Sequence, residues 1–212
     1  VYKRQINNLS GGGTVNKNST GSLTLTGDNS GYNGQFNING GTAYFTKNSD
    51  TDYISGTTSV AQGAVLDYMA NADDTLNNIS GEGLLIKNGD AVLNVNGQNS
   101  NAFDINMQIN SGKLNYTAAE NGNITIGSNV IPSVSFGSQN TNASLQLNNG
   151  TYTLESELVN SLGNNIIFDS AEIKLAADNY TDGNYTIQNS VINLINDGLA
   201  ETKTFNLSLI HI

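Results

Sequence analysis

The sequence predicts an all-β fold, a parallel β-helix (β-solenoid) wound in coils of roughly 19 to 26 residues. Three observations carry that prediction. Apolar and polar residues alternate with period two over short runs. A short motif ending in Gly or a substitute recurs along the chain. The composition is that of a repetitive polar β protein, with 36 Asn, 23 Gly, 20 Ser and 19 Thr among 212 residues, one Pro, no Cys and no Trp.

The alternation is clearest in Ser22-Leu23-Thr24-Leu25-Thr26 and in Gln35-Phe36-Asn37-Ile38-Asn39. Runs of four to six residues rich in β-branched and aromatic side chains read as strands. The breaks between them carry Asn, Asp and Gly, which tolerate positive φ at turns. Residues 67–80 are the weakest strand region and read as a short helix or a loop excursion.

The recurring motif is an apolar residue, a polar one, an Asn-like one and Gly or a substitute. It occurs as Ile38-Asn39-Gly40-Gly41, Val60-Ala61-Gln62-Gly63, Ile86-Lys87-Asn88-Gly89, Ile109-Asn110-Ser111-Gly112 and Leu147-Asn148-Asn149-Gly150. Phe168-Asp169-Ser170-Ala171 and Ile187-Gln188-Asn189-Ser190 are weaker copies. The spacings are 22, 26, 23, 38, 21 and 19, and the gap of 38 is read as one degenerate turn plus a loop around Pro132. A longer unit also repeats. Leu23 to Asn29 with Phe36 and Ile38 returns as Leu93 to Asn99 with Met107 and Ile109, and as Ile173 to Asn179 with Tyr185 and Ile187, at offsets of 70 and 80.

A coil of this length cannot bury a core alone, whereas stacked coils can. Leu23, Leu25, Phe36, Ile38, Ala43 and Phe45 are expected to point inward, with Thr and Asn outward. Like residues then stand about 4.8 Å apart in successive coils. Asn side chains in such columns are expected to form hydrogen-bonded ladders. Open ends of the stack would expose strand edges.

Both termini read as something other than protein sequence. Val1-Tyr2-Lys3-Arg4-Gln5 back-translates to GTG TAT AAG AGA CAG, whose reverse complement encodes Leu-Ser-Leu-Ile-His, matching residues 207–211. The DNA resembles a transposase mosaic-end sequencing adapter, and one further adapter codon gives Ile212. Residues 1–5 and 207–212 are therefore set aside as adapter-derived, leaving 6–206 as the native segment. The single His211 and single Arg4 both fall in the excluded ends.

The charge is −10 overall and −12 once Lys3 and Arg4 are excluded. That acidity argues against a nucleic-acid partner, which requires basic patches, and against docking on anionic lipid. The lack of Cys removes disulfides, thiolate metal sites and Cys nucleophiles. No apolar run approaches the ~20 residues of a membrane helix, so membrane insertion by this segment is not expected.

Gly21-Ser22-Leu23-Thr24-Leu25-Thr26-Gly27-Asp28-Asn29-Ser30 continues as Gly31-Tyr32-Asn33-Gly34-Gln35-Phe36-Asn37-Ile38-Asn39-Gly40-Gly41-Thr42. This stretch resembles the passenger-associated repeat of bacterial autotransporters (type V secretion). The second copy departs with Ala91 for the opening Gly and one extra residue before Ile109, and the third with Ala177 for Gly27. The resemblance is specific over 21–45 and diffuse over 12–194. It implies a right-handed parallel β-helix passenger, exported through the outer membrane and displayed or released. It also implies tethering to a C-terminal outer-membrane β-barrel outside this segment, and an adhesin or stalk role toward a host-cell, matrix or glycan ligand.

Candidate chemistry is sparse, and no catalytic, cofactor-binding or metal residue is assigned. A Ser-His-Asp triad has no base once His211 is excluded. Asp50/Asp52, Asp73/Asp74 and Glu155/Glu157 qualify as carboxylate pairs by type alone, and solvated turn or strand-face acids explain them. Asn48-Ser49-Asp50-Thr51-Asp52 is the best calcium candidate, yet it lacks the Gly and distal Glu of an EF-hand loop. Thr24/Thr26, Thr151/Thr153 and Thr202/Thr204 have the form of ice-binding ranks but do not recur once per coil. The tyrosines are expected half-buried at strand ends with wet hydroxyls. Gly11-Gly12-Gly13 lacks the context of a phosphate loop. Two function classes follow: a non-catalytic stalk or adhesin segment, or a fragment of a carbohydrate-active β-helix enzyme or tailspike-like protein with catalytic coils elsewhere.

Overall fold

The computed structural model describes residues 3–49, 54–96, 105–117, 123–126, 134–136, 143–149, 151–154, 165–175, 179–180, 184–194, 204–205 and 209–210. Among these the regular structure is all strand, and every strand pair is parallel. Strands far apart in sequence pair in register while chain neighbours do not, so the chain winds as a β-solenoid.

Three faces recur in chain order. The first carries Lys3–Asn7, Ser22–Thr26, Thr42–Lys47, Val65–Ala70, Leu84–Asn88, Asn106–Ile109 and Val134–Phe136. The second carries Asp74–Asn77, Val92–Asn96, Lys113–Thr117, Ser144–Asn148, Asn165–Asp169, Asn184–Gln188 and Leu209–Ile210. The third position holds two runs: Thr14–Lys17, Gln35–Ile38, Thr57–Val60 and Ile79–Ser80, and later Asn123–Ile126, Thr151–Leu154, Glu172–Leu175 and Val191–Leu194.

The expected core is present. Leu23, Leu25, Phe36, Ile38, Ala43 and Phe45 are all buried. They continue along the axis as columns, Leu23 beside Ala43, Leu66, Leu85 and Met107 on the first face. Burying one such side chain stabilises by about 1.5–3 kcal/mol, which is what holds strands of four to six residues that would not persist alone. Aromatic rings meet edge to face inside, Phe36 on Phe45 at 5.2 Å and Tyr152 on Phe168 at 6.2 Å between centroids.

Residues 67–80 hold three strand segments, Val65–Ala70, Asp74–Asn77 and Ile79–Ser80, joined by turns at 71–73 and 78, rather than a helix or an excursion. Leu66, Tyr68 and Ala70 point inward, with Asp67 and Met69 outward. The alternation is intact there, but an apolar Met sits outside and Asp74 sits inside, which blurs it in sequence. The coil containing the gap of 38 spans Ile109 to its partner Phe136. That adds the extra coil position, while the loop around Pro132 lies outside the described residues.

The short motif does not stay at one corner. Ile38 and Val60 end third-face strands, Ile109 ends a first-face strand, and Leu147, Phe168 and Ile187 end second-face strands. One copy is also out of step. Lys87, not Ile86, stands beside Ile109. The longer unit moves in the same way. From Leu23 three coils lead through Ala43 and Leu66 to Leu85 on the same face, and Leu93 begins the next. From Leu93 three coils lead through Leu114 and Leu145 to Ile166, and Ile173 again begins the next. Each repeat therefore advances three coils and one face. That is why offsets of 70 and 80 are not multiples of a single coil.

Candidate functional site

The residues of the repeat motif serve the coil itself. Asn29 is buried, its Nδ2 donates to Thr26 O and Gly27 O at 3.3 and 3.0 Å, and its Oδ1 accepts Leu9 N–H at 2.8 Å from the preceding coil. Gly27 has φ +69°, and a Cβ there would lie 2.2 Å from Asn8 Oδ1, the atom that receives Asp28 N–H. Asn takes a positive φ elsewhere in this chain, at Asn8 and Asn78, but here the contact with Asn8 leaves no room for a Cβ, so Gly fits best. Asp28 Oδ1 accepts both the N–H and the hydroxyl of Ser30, a local turn that also holds its carboxyl below the usual range. Tyr32 is buried, and its hydroxyl donates to Gly13 O or Gln35 O, at 2.8 and 2.6 Å. Gly34 packs against the preceding coil so closely that a Cβ would sit 1.9 Å from Gly13 O.

Asn ladders run along the corners and faces as expected. Asn37 donates to Asn16, Asn39 to Asn18, Asn71 to Asn48 and Asn115 to Asn94, at 2.7–3.0 Å. One ladder crosses three coils, Asn110 to Asn88 to Asp67, at 2.9 and 2.7 Å. Each rung contributes about 0.2–1 kcal/mol in this kind of cross-strand stack.

Three lysines were missed by sequence reasoning. Lys17, Lys47 and Lys87 are buried at inward strand positions. Lys87 Nζ donates to Asn88 O, Gly89 O and Ser111 O at 2.9, 2.7 and 3.1 Å, and so joins two successive turns. Lys17 Nζ does the same with Ser19 O and Gly40 O. A buried ammonium is tolerated because carbonyls replace its water. Burial still pushes the Lys87 pKa down to about 8, partly opposed by Asp90 and Asp73, and lowers that of Lys17. A signal was available, since each lysine precedes an Asn (Asn18, Asn48 and Asn88) that accepts a ladder bond from the next coil. The Lys-Asn pair marks a solenoid corner.

The candidate carboxylate pairs do not form an acid–base site where they are described. Asp74 is buried and accepts the Tyr68 hydroxyl, while Asp73 lies at the exposed turn and accepts Val92 N–H at 2.9 Å. Burial raises the Asp74 pKa, partly countered by Thr75 N–H and Lys47. Asp50, Asp52, Glu155 and Glu157 lie outside the described residues, so the proposed calcium loop is described only at Asn48 and Ser49. Among the described residues no three His, Asp or Glu side chains converge as a metal site.

The remaining candidates resolve into structure. Thr26 hydroxyl donates to Ile6 O and Thr151 hydroxyl to Glu172, as outward strand residues; Thr202 lies outside the described residues. Gly11-Gly12-Gly13 forms a turn whose Gly11 and Gly13 carbonyls receive N–H groups of the next coil. The expectation of wet tyrosine hydroxyls is corrected for Tyr32, Tyr68 and Tyr152. These rings are buried and their hydroxyls are bonded inside, because the coil interior offers turn carbonyls and Asp74 as acceptors. Tyr44 alone of the described tyrosines is exposed, at 39%.

No protein-family model, no curated protein and no solved structure matches this chain.

Proposed function

We propose that residues 6–206 are part of a non-catalytic β-helix stalk or adhesin passenger of the autotransporter kind, secreted or held at a bacterial cell surface. Residues 1–5 and 207–212 are adapter-derived in this reading. The carrying observation is that the motif residues Gly27, Asn29, Tyr32, Gly34 and Ile38 each close a turn, fill the core or join coil to coil. A repeat spent wholly on stacking suits a spacer. Each further coil adds about 4.8 Å of length and one more row of outward Asn, Thr and Ser. Weak contacts along such rows add by avidity.

The position of Arg4 supports the adapter reading. It stands beside Leu23 in a column that otherwise holds Leu23, Ala43, Leu66, Leu85 and Met107. Around it a cavity of about 490 Å³ opens, lined by Ile6, Val15, Lys17 and Leu23.

Recovering the reading frame from the source DNA tests the proposal. Val1–Gln5 and Leu207–Ile212 should vanish, and the frame should end in about ten-residue amphipathic strands of a membrane barrel. A frame ending instead in a soluble domain with clustered Asp, Glu, Arg or His would replace the stalk by a carbohydrate-active enzyme. The isolated segment should give a β circular dichroism spectrum and associate through its ends.

A further inference from the structure

The outer surface of the first face changes character over three coils. Its columns elsewhere hold Ser22, Thr24, Thr26, Asn106 and Gln108. Between them the centre column runs Thr24, Tyr44, Asp67, Ile86, Gln108. Val65 and Leu84 flank it on one side, and Met69 on the other. Tyr44 and Met69 are 39% and 37% exposed, and Val65, Leu84 and Ile86 are partly exposed. One carboxylate, Asp67, stands among five apolar side chains. Its Oδ1 accepts Asn88 Nδ2 at 2.7 Å, and among the described residues neither its second oxygen nor the Tyr44 hydroxyl has a hydrogen-bond partner.

We infer that this patch is a binding subsite for a neutral β-linked glycan, with the Tyr44 ring stacking on the C–H face of a pyranose and Asp67 accepting its hydroxyls. Size selects this occupant. Strands about 4.8 Å apart and same-face residues about 6.7 Å apart make the patch roughly 10 by 13 Å between its outer Cα atoms. That is far below the ~800 Å² each partner buries in a stable protein interface, yet a few sugar rings cover it. Chemistry agrees. An amphipathic ring beside a fixed acceptor suits a ligand with one apolar face and a hydroxyl edge. Charge narrows the class. Asp67 at the centre of a chain of net charge −10 repels sialylated or uronic acid sugars. The preceding and following coils offer Thr24 and Gln108 as further polar partners along the axis. The inference deepens the lateral-face part of the proposed function. The stalk assignment stands or falls separately, on the recovered reading frame.

Saturation-transfer NMR of the full 212-residue chain tests it, with cellotetraose and β-1,4-galactotetraose as neutral probes and 3′-sialyllactose as the charged one. At least one neutral probe should bind with Kd about 1 mM, and sialyllactose about tenfold more weakly. Tyr44→Ala should weaken binding about tenfold and Asp67→Asn about fivefold. Thr153→Ala, on the third face, should leave it unchanged. Tyr44 projects outward, so its variant should keep the wild-type β spectrum. Absence of transfer from both neutral probes at about 20 mM overturns the inference. So does binding that Tyr44→Ala leaves intact. A dimer in sedimentation that Tyr44→Ala dissolves would instead assign the patch to a second copy of the chain.

Discussion

Lys87 and Ile109 occupy one inward column a coil apart, and the Lys87 ammonium reaches past Ile109 to donate to Ser111 O at 3.1 Å. A charged side chain thus fills an apolar slot by bonding the turn carbonyls of both coils. Two opposing effects act on Lys87→Met. The desolvated charge is removed, which helps, and three carbonyls lose their donor, each worth about 1–3 kcal/mol when buried. Three lost partners outweigh one relieved charge, so the variant should be less stable by about 2 kcal/mol at pH 7. Denaturant unfolding at fixed pH measures it.

The same lysine sets an alkaline signature. Its folded pKa is about 8, against 10.5 unperturbed. Between these values the unfolded chain binds more protons, so stability rises with pH, by on the order of 1–2 kcal/mol from pH 8 to 10. Buried Tyr116 acts oppositely. Burial raises its pKa above the usual 10.0, so above that value the unfolded chain loses the proton first and stability falls. Unfolding midpoints against pH should peak near pH 10. In Lys87→Met the rise should shrink to the share that Lys17 contributes, and the fall remain.

Gly13, Gly34 and Gly56 form a column in which position decides the effect of one methyl group. A Cβ on Gly34 would lie 1.9 Å from Gly13 O, and on Gly56 1.9 Å from Gly34 O, whereas around Gly13 nothing lies within 4 Å. Gly34→Ala and Gly56→Ala must push strands apart and should cost about 3 kcal/mol or more, or abolish soluble expression. Gly13→Ala should stay within about 1 kcal/mol of the parent. Equal losses at all three positions would show that the coils are not stacked as described.

What the sequence disclosed follows from which forces act locally. Leu23, Leu25, Phe36 and Ile38 were readable because period-two alternation is a property of one strand. The Asn ladders were readable because like residues recur at corners. The course of the repeat from face to face was not, because the coil lengthens in places, as between Ile109 and Phe136, and only strand pairing reveals it. Lys87 was misplaced by one residue because a charged side chain looks outward in sequence, and only the three carbonyls explain its burial. The outer patch at Tyr44 was invisible for a different reason. Its members, Tyr44, Asp67 and Ile86, come from three coils and meet only across strands.

Tyr68 and Asp74 form a buried hydroxyl–carboxylate contact at the point where the second face begins. Tyr68→Phe keeps the ring and its edge contact with Phe45 but removes the donor. The carboxyl, already raised by burial, should rise further, retaining Thr75 N–H and the Lys47 charge. The loss should be about 1–2 kcal/mol at pH 7 and smaller at low pH, where Asp74 is protonated and needs no donor. Calorimetry at pH 4 and pH 7 separates this from a packing defect, which would cost the same at both.

Asn88 holds the middle of the ladder between Asp67 and Asn110, and Asn110 holds its end. Removing the middle rung breaks two bonds and removes the donor that lowers the Asp67 pKa against its burial. Removing Asn110 breaks that ladder bond and the Gln108 donation to its Oδ1 at 2.9 Å, both in partly exposed positions. Both Asn88 bonds join successive coils and one ends on a carboxylate, whereas only one of the two Asn110 bonds joins coils, so Asn88→Ala should cost about 1–2 kcal/mol and Asn110→Ala under about 1. Only Asn88→Ala should raise the Asp67 titration midpoint, read by carboxyl-carbon NMR. For a carboxyl already raised by burial, that further rise makes stability fall more steeply as pH climbs through the acid range, since the folded state then holds its proton longer. An Asp67 midpoint that is indifferent to Asn88 would mean that the side chains merely stand in a column without bonding along it.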